Sequence, residues 1–197
     1  KSYYIIFVLW SFNSYSQEIS FDSWKENLAN EAISNGISKK TLSDTFDLIK
    51  EPNKKVLALY YKQPERALTF KKYIKNTISN HRIKQGKKLL IIHKKKLNFI
   101  AKKYGVQPRF IIAIWGLETN YGKNMGGFKV ISSLATLAYE SKRKKFFRNE
   151  LITALLILEH GHIDKEKMYG SWAGAMGQSQ FMPSSFIKYA KDENQNK

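Results

Sequence analysis

The chain has 197 residues, no cysteine, and a formal net charge of +18 from 34 Lys and Arg against 16 Asp and Glu. A hydrophobic content of 43% excludes an intrinsically disordered chain, and the lack of cysteine excludes a disulfide framework and a thiolate metal site. The positive charge favours a polyanionic partner such as nucleic acid, anionic lipid or an acidic wall polymer. The Lys runs are explained more simply as solvated helix faces.

The N-terminus reads as a targeting segment. Lys1 precedes an apolar run from Tyr3 to Phe12, and the small residues Ser14 and Ser16 follow it. This pattern predicts a secretory signal peptide over residues 1–16, export to a Gram-negative periplasm, and a domain over residues 17–197. The run is too short to span a membrane in the mature chain. A buried N-terminal helix is the alternative.

The rest of the chain shows helical periodicity, and no long stretch alternates at period two. The pattern predicts a mainly α domain, with helix breaks or starts at six positions: Gly36, Ser38, Pro52, Gly86, Gly105 and Pro108. Helices are predicted over residues 64–83, 89–101, 132–139 and 144–159. Eight residues of the first two are expected to point inward: Phe70, Tyr73, Ile74, Ile78, Leu90, Ile91, Leu97 and Ile100.

An apolar helix that ends in a single carboxylate lies at the centre of the sequence, with the motif Trp-Gly-Leu-Glu-Thr-Asn-Tyr-Gly at residues 115–122. Helical spacing places Ile111, Trp115 and Glu118 on one face, which predicts that Glu118 is buried. Burial would raise the pKa of Glu118, as a general acid near neutral pH requires. A Glu that turns out to solvent at a helix end is the alternative.

A second motif runs from Gly170 to Phe186 and reads Gly-Ser-Trp-Ala-Gly-Ala-Met-Gly-Gln-Ser-Gln-Phe-Met-Pro-Ser-Ser-Phe. Small residues let a ligand approach the backbone, Gln offers both a donor and an acceptor, and Trp, Phe and Met provide apolar walls. Together, the two motifs resemble the membrane-bound lytic murein transglycosylase B family in order and spacing. The resemblance covers about residues 22–197 and implies a lysozyme-like helical catalytic domain, incomplete at its C-terminus.

The resemblance also implies an activity and a set of site residues. Glu118 would act as the general acid and base in cleaving the bond between N-acetylmuramic acid and N-acetylglucosamine, leaving 1,6-anhydromuramic ends. Five substrate-binding residues are implied: Ser171, Gln180, Tyr73, Met176 and Phe181. Peptidoglycan glycan strands are the expected partner, and no nucleic acid is expected. Related sequences often have an aromatic residue where this chain has Gln178.

No cofactor is expected, and metal binding rests on one weak pattern. Asp192, Asn194 and Asn196 place oxygen ligands at positions 1, 3 and 5, as a calcium loop begins. Position 6 is Lys197 instead of the usual Gly, and a polar turn explains the segment equally well. His160 and His162 lack the i, i+4 spacing of a helical zinc site.

Two other functions remain open on the sequence. A water-using muramidase would use a second carboxylate, but Glu140, Glu150, Glu159 and Asp164 lie in polar surroundings outside any comparable motif. A non-catalytic peptidoglycan-binding domain would not need Glu118 in its full motif. The product separates the first two possibilities, because a transglycosylase leaves an anhydro end and a muramidase a reducing sugar.

Overall fold

The computed structural model describes residues 19–46, 48–63 and 69–192, so the predicted signal peptide over residues 1–16 lies outside the described residues. Ten helices are found in this part: α1 (Phe21–Ser34), α2 (Lys39–Phe46), α3 (Lys54–Lys62), α4 (Phe70–Thr77), α5 (Asn80–Ile92), α6 (Lys94–Tyr104), α7 (Pro108–Thr119), α8 (Val130–Glu140), α9 (Lys144–Glu159) and α10 (Pro183–Tyr189). The mainly α class is confirmed. Two strands of two residues each, β1 (Phe128–Lys129) and β2 (Tyr169–Gly170), form an antiparallel pair. This pair joins the segment just before α8 to the segment after α9.

Short-range signals set several helix boundaries. The side chains of Ser20, Asn53, Thr69 and Ser79 each accept a hydrogen bond from a backbone N–H in the first turn of the following helix. Helix α6 ends at Gly105, whose φ of 71° lies in the left-handed region. Helix α7 then begins with Pro at its first position, as the sequence predicted.

Most of the buried residues belong to one cluster, which defines the large lobe: α1–α3, α8–α10 and the two strands. Helices α8 and α9 form its centre, and Leu134, Leu137, Leu151 and Leu155 are fully buried there. Burying a leucine side chain contributes about 1.5–3 kcal/mol, so this cluster is the main source of stability.

The small lobe comprises α4–α7 and has a thin core. Only Leu89, Leu97 and Ile112 form its buried cluster within the described residues. Leu89 lies on α5, Leu97 on α6 and Ile112 on α7, so these three side chains hold the lobe together. Helix α4 buries no residue at all.

The small lobe differs from the sequence prediction in four ways. The predicted helix over residues 64–83 is interrupted at Ile78 and Ser79, between α4 and α5. Gly86 lies inside α5 and does not break it, while the predicted helix over residues 89–101 is interrupted at His93. This turn at His93 allows both α5 and α6 to contact α7. Phe70 and Ile91, expected inward, are 79% and 76% exposed.

None of the helices in the described residues is long and apolar enough to cross a membrane.

Candidate active site

Helix α7 buries a different face from the one that the sequence predicted. Its buried residues are Ile112, Gly116 and Thr119, and Glu118 is exposed to solvent. The predicted burial of Glu118 is therefore wrong. This face packs inward because Gly116 accommodates the Tyr121 ring, and a Cβ atom at Gly116 would lie 2.7 Å from Tyr121 Cζ.

The turn after Glu118 has an unusual backbone. Asn120, Tyr121 and Gly122 have φ values of 50°, 62° and 81°, three consecutive residues in the left-handed region. Non-glycine residues adopt this region at an energetic cost, and such positions concentrate at functional sites. The turn reverses the chain immediately after the carboxylate.

The Tyr121 side chain holds this turn in place through two contacts. Its hydroxyl donates a hydrogen bond of 2.8 Å to the Arg82 carbonyl, and its ring packs edge-on against Trp115. Gly86 leaves the space for this, because a Cβ atom there would lie 2.6 Å from the Tyr121 hydroxyl. Burial raises the pKa of Tyr121 above its ordinary value of 10.0, and the nearby Arg82 offsets part of that rise.

The second motif folds into a tight loop over residues 170–181, the glycine-rich loop. At its start, Ser171 Oγ accepts a hydrogen bond from Ala175 N at 3.1 Å. At its end, Met176 and Phe181 form an antiparallel bridge, with N–H to carbonyl distances of 2.9 and 3.1 Å. The residues between them form the tip of the loop.

The tip of this loop contacts the end of α7 through Gln178. Trp115 Nε1 donates to Gln178 Oε1 at 2.7 Å, and Thr119 Oγ1 donates to the Gln178 carbonyl at 2.9 Å. A second contact joins Gln180 Nε2 to the Met125 carbonyl at 3.1 Å. The two sequence motifs therefore meet, through residues that are 63 and 59 positions apart in the chain.

Four of the implied substrate-binding residues lie on this loop. Met176 is buried and Phe181 half-buried, and both line a cavity of about 380 Å³ together with Gln178. Ser171 and Gln180 are half-buried within the loop. Tyr73 is on α4 with 49% of its surface exposed, and no hydrogen bond joins it to Glu118 in the described part of the chain.

Glu150 was missed by the sequence reading, which placed it in polar surroundings. Its side chain is only 4% exposed and accepts hydrogen bonds from Ser184 N at 2.9 Å and Ser184 Oγ at 2.6 Å. The carboxylate thus anchors the start of α10, which lies within the second motif, to α9. The tandem Ser184 and Ser185 after Pro183 was the available signal, since serine favours helix starts.

The predicted calcium loop stays a prediction. Asp192 is exposed, and Asn194 and Asn196 lie outside the described residues. Within the described residues, no three His, Cys, Asp or Glu side chains are grouped so that they could hold a metal ion.

Comparison with known proteins agrees with this geometry. The profile of the family described as "Transglycosylase SLT domain" matches residues 20–197. Membrane-bound lytic murein transglycosylase B of Escherichia coli (strain K12) is 38% identical over 122 residues, which are 61% of this chain and 34% of that protein.

Solved structures give the same result. SltB3 from Pseudomonas aeruginosa in complex with NAG-NAM-pentapeptide superposes with a TM-score of 0.84 at 38% identity, over 90% of this chain and 47% of that one. Its complex with NAG-anhNAM-pentapeptide gives a TM-score of 0.83 at 36% identity. The chain thus spans about half the length of these solved relatives and has their lysozyme-like fold. On this evidence, the chain belongs to the transglycosylase SLT domain family.

Proposed function

We propose that this chain supplies peptidoglycan lytic transglycosylase activity, with Glu118 as its general acid and base. The observation that carries the proposal is the junction at Gln178, which brings the end of the Glu118 helix against the glycine-rich loop. The muropeptides bound in the two SltB3 complexes support N-acetylmuramic acid-containing glycan strands as the substrate class.

The reaction needs one carboxyl group in two protonation states. Protonated Glu118 would donate its proton to the glycosidic oxygen as the bond from muramic C1 breaks. The resulting carboxylate would then take the proton of the muramic C6 hydroxyl, whose oxygen attacks C1 and closes the 1,6-anhydro ring. Glu118 ends protonated again, and no water is consumed.

A tethered nucleophile favours this route over water. The C6 hydroxyl belongs to the reacting sugar, and well-oriented intramolecular groups reach effective molarities of ~10⁵ M or higher. Glu118 is exposed in the free chain, so a bound glycan strand would itself have to exclude water from the carboxylate. Met176 and Phe181 would provide the apolar wall on the loop side.

The polar residues of the loop would orient the sugar. The Gln180 amide nitrogen already bonds to the Met125 and Gly177 carbonyls, so its Oε1 is the better placed atom to accept a substrate hydroxyl. The Ser171 hydroxyl can likewise donate while its oxygen accepts from Ala175 N. Tyr73, on α4, would contact the glycan strand as the site closes around it. The enzyme would act on the cell wall in the periplasm, after removal of the predicted signal peptide.

A product assay separates the proposal from its alternatives. Digestion of purified sacculi in ¹⁸O-labelled water should release anhydromuramoyl ends that carry no label, as measured by mass spectrometry. Reducing ends with ¹⁸O at C1 would establish a muramidase instead. Binding to sacculi without any released product would identify a non-catalytic domain.

Glu118→Gln tests the assigned acid and base. The amide keeps the size of the side chain but cannot exchange a proton, so activity should fall by ~10²–10⁴. Folding should be unchanged because Glu118 is exposed and makes no ion pair within the described residues. Glu140→Gln, at another exposed position, is the matched control and should stay fully active. Near wild-type digestion by Glu118→Gln would refute the assignment.

A further inference from the structure

Gln178 joins the two halves of the candidate site through both its side chain and its backbone. The side-chain Oε1 accepts from the Trp115 indole at 2.7 Å, and the backbone carbonyl accepts from the Thr119 hydroxyl at 2.9 Å. Both donors lie on α7, and both acceptors belong to one residue at the tip of the loop. The hydrogen bond from Gln180 to Met125 involves no residue of α7.

These two bonds bracket Glu118. Trp115 lies one turn before the carboxylate, and Thr119 follows it directly. The Trp115 ring also packs edge-on against Tyr121, at 5.7 Å between centroids, and Thr119 is 1% exposed. Two residues of the last turn of α7 are thus held against one loop residue. These contacts fix the rotation of the helix end about its axis and its position along that axis, and this end carries Glu118.

Gln178 is exposed, but one side of its side chain lies close to Gly122. Gly122 approaches its side chain so closely that a Cβ atom there would lie 2.6 Å from Gln178 Oε1. The Gly122 backbone N–H also bonds to Thr119 Oγ1 at 3.0 Å, which completes a connected group of four residues. A shorter or apolar side chain at position 178 would leave the indole N–H without its acceptor.

We propose that Gln178 is a positioning residue: it aligns the Glu118 carboxylate with the sugar-binding wall of the loop through its bond to Trp115. The proposal rests on the function proposed above, in which Glu118 transfers the proton. In this role Gln178 acts through Trp115 and transfers no proton itself. Its contribution is orientation, and an error of about 1 Å in a catalytic group can cost ~10²-fold in rate.

Two substitutions remove the same hydrogen bond from opposite sides. Gln178→Met keeps the length of the side chain without the carbonyl acceptor, and Trp115→Phe keeps an aromatic ring without the donor. Each should lower kcat on a soluble peptidoglycan fragment by ~10-fold or more, with KM changed less than twofold, because the alignment of Glu118 changes while the sugar contacts stay. The double variant should be no slower than the slower single variant, since the bond can be lost only once.

Ser179→Ala is the matched control at the neighbouring exposed position of the same loop tip, and it should keep wild-type kcat. Thermal midpoints are measured for all four variants. Wild-type kcat in Gln178→Met, multiplying losses in the double variant, or a kcat loss in Ser179→Ala equal to that of Gln178→Met would each overturn the proposal. If Gln178→Met does not fold, Trp115→Phe still tests the bond, and wild-type kcat there would overturn the proposal as well.

The result is separable from the proposed function. If Glu118→Gln is inactive while Gln178→Met is fully active, only the positioning role fails. If Glu118→Gln is active, the function itself fails, whatever Gln178 does.

Discussion

The two lobes of this molecule are held together in different ways. Among the described residues, the cluster in the large lobe contains 22 buried hydrophobic residues, whereas that of the small lobe contains three. Apart from Glu118, the charged residues of the small lobe are all basic, because the sequence has fourteen Lys and Arg and no acidic residue between Glu65 and Glu118. Of the large hydrophobic side chains exposed in the described residues, most lie on α4–α7.

This difference shows that the large lobe provides most of the stability, whereas the small lobe provides much of the exposed apolar and cationic surface. The large lobe fixes the glycine-rich loop at both ends, since the loop is continuous with β2 and leads into α10, whose first turn is anchored to α9 by Glu150. The small lobe supplies the helix that ends in Glu118. The candidate site therefore combines one rigid wall with one helix from a weakly packed, strongly cationic region.

Leucine truncation in the two cores should give the largest contrast. Leu155→Ala is expected to lower the free energy of unfolding by ~2–5 kcal/mol, because it opens a cavity among fully buried neighbours. Leu97→Ala, in the small-lobe cluster, should cost less than Leu155→Ala because its neighbours are partly exposed and can relax into the space. Urea unfolding measures both, and equal losses would show that the two cores are equally well packed.

Overpacking inside the small lobe should have the next largest effect. Gly116→Ala places a Cβ atom 2.7 Å from the Tyr121 ring, and relief of the clash should cost ~1–3 kcal/mol. Gly127→Ala is the matched control, because a Cβ atom there meets nothing within 4 Å. Thermal unfolding compares the two, and an unchanged midpoint for Gly116→Ala would mean that Tyr121 is not fixed in this position.

Charge reversal tests the electrostatic side of the comparison. Changing Lys94, Lys95 and Lys96 to Glu should weaken binding to sacculi at low salt by ~10-fold, within the range of electrostatic steering. The matched variant reverses Lys142, Lys144 and Lys145 in the large lobe and should weaken binding less. Both triplets are exposed and lie around the start of a helix, where Glu is well tolerated.

The salt dependence of binding is the control for that experiment. At 1 M salt the Debye length is about 3 Å, so the two triple variants should bind alike. Equal weakening at low salt would mean that the total charge matters and its concentration in the small lobe does not.

The pH dependence of stability should show the smallest effect. Hydrogen bonds from Thr41, then from the Ser38 backbone and side chain, lower the pKa of Glu159 below its ordinary value of 4.5. A lowered folded-state pKa stabilises the fold above pH 4.5, and this contribution is lost as the pH falls through the folded-state value. Glu159→Gln should therefore flatten the loss of stability below pH 4.5, whereas Glu140→Gln should not. An unchanged acid limb in Glu159→Gln would contradict this.

The sequence alone determined the helical class, the helix boundaries from Gly105 to Glu159 to within about two residues, and both motifs. Capping residues, the Gly105 and Pro108 pair, and the periodicity of α9 are local signals, so they are readable without any tertiary contact. In the large lobe, the buried face also followed from the sequence, because Leu151, Leu155 and their neighbours form one apolar stripe against polar residues.

The tertiary structure decided which face of α7 is buried and what joins the two motifs. In α7 nearly every residue is apolar, so the pattern could not show that Gly116 turns inward under Tyr121 and leaves Glu118 exposed. Gly86 is also explained by packing. It lies inside α5, and its lack of a side chain leaves room for Tyr121, which is 35 residues away in sequence. The bond between Trp115 and Gln178 joins α7 to a loop residue 63 positions away in sequence. Long-range contacts of this kind leave no periodic trace in the sequence, because their partners are chosen by packing and not by spacing.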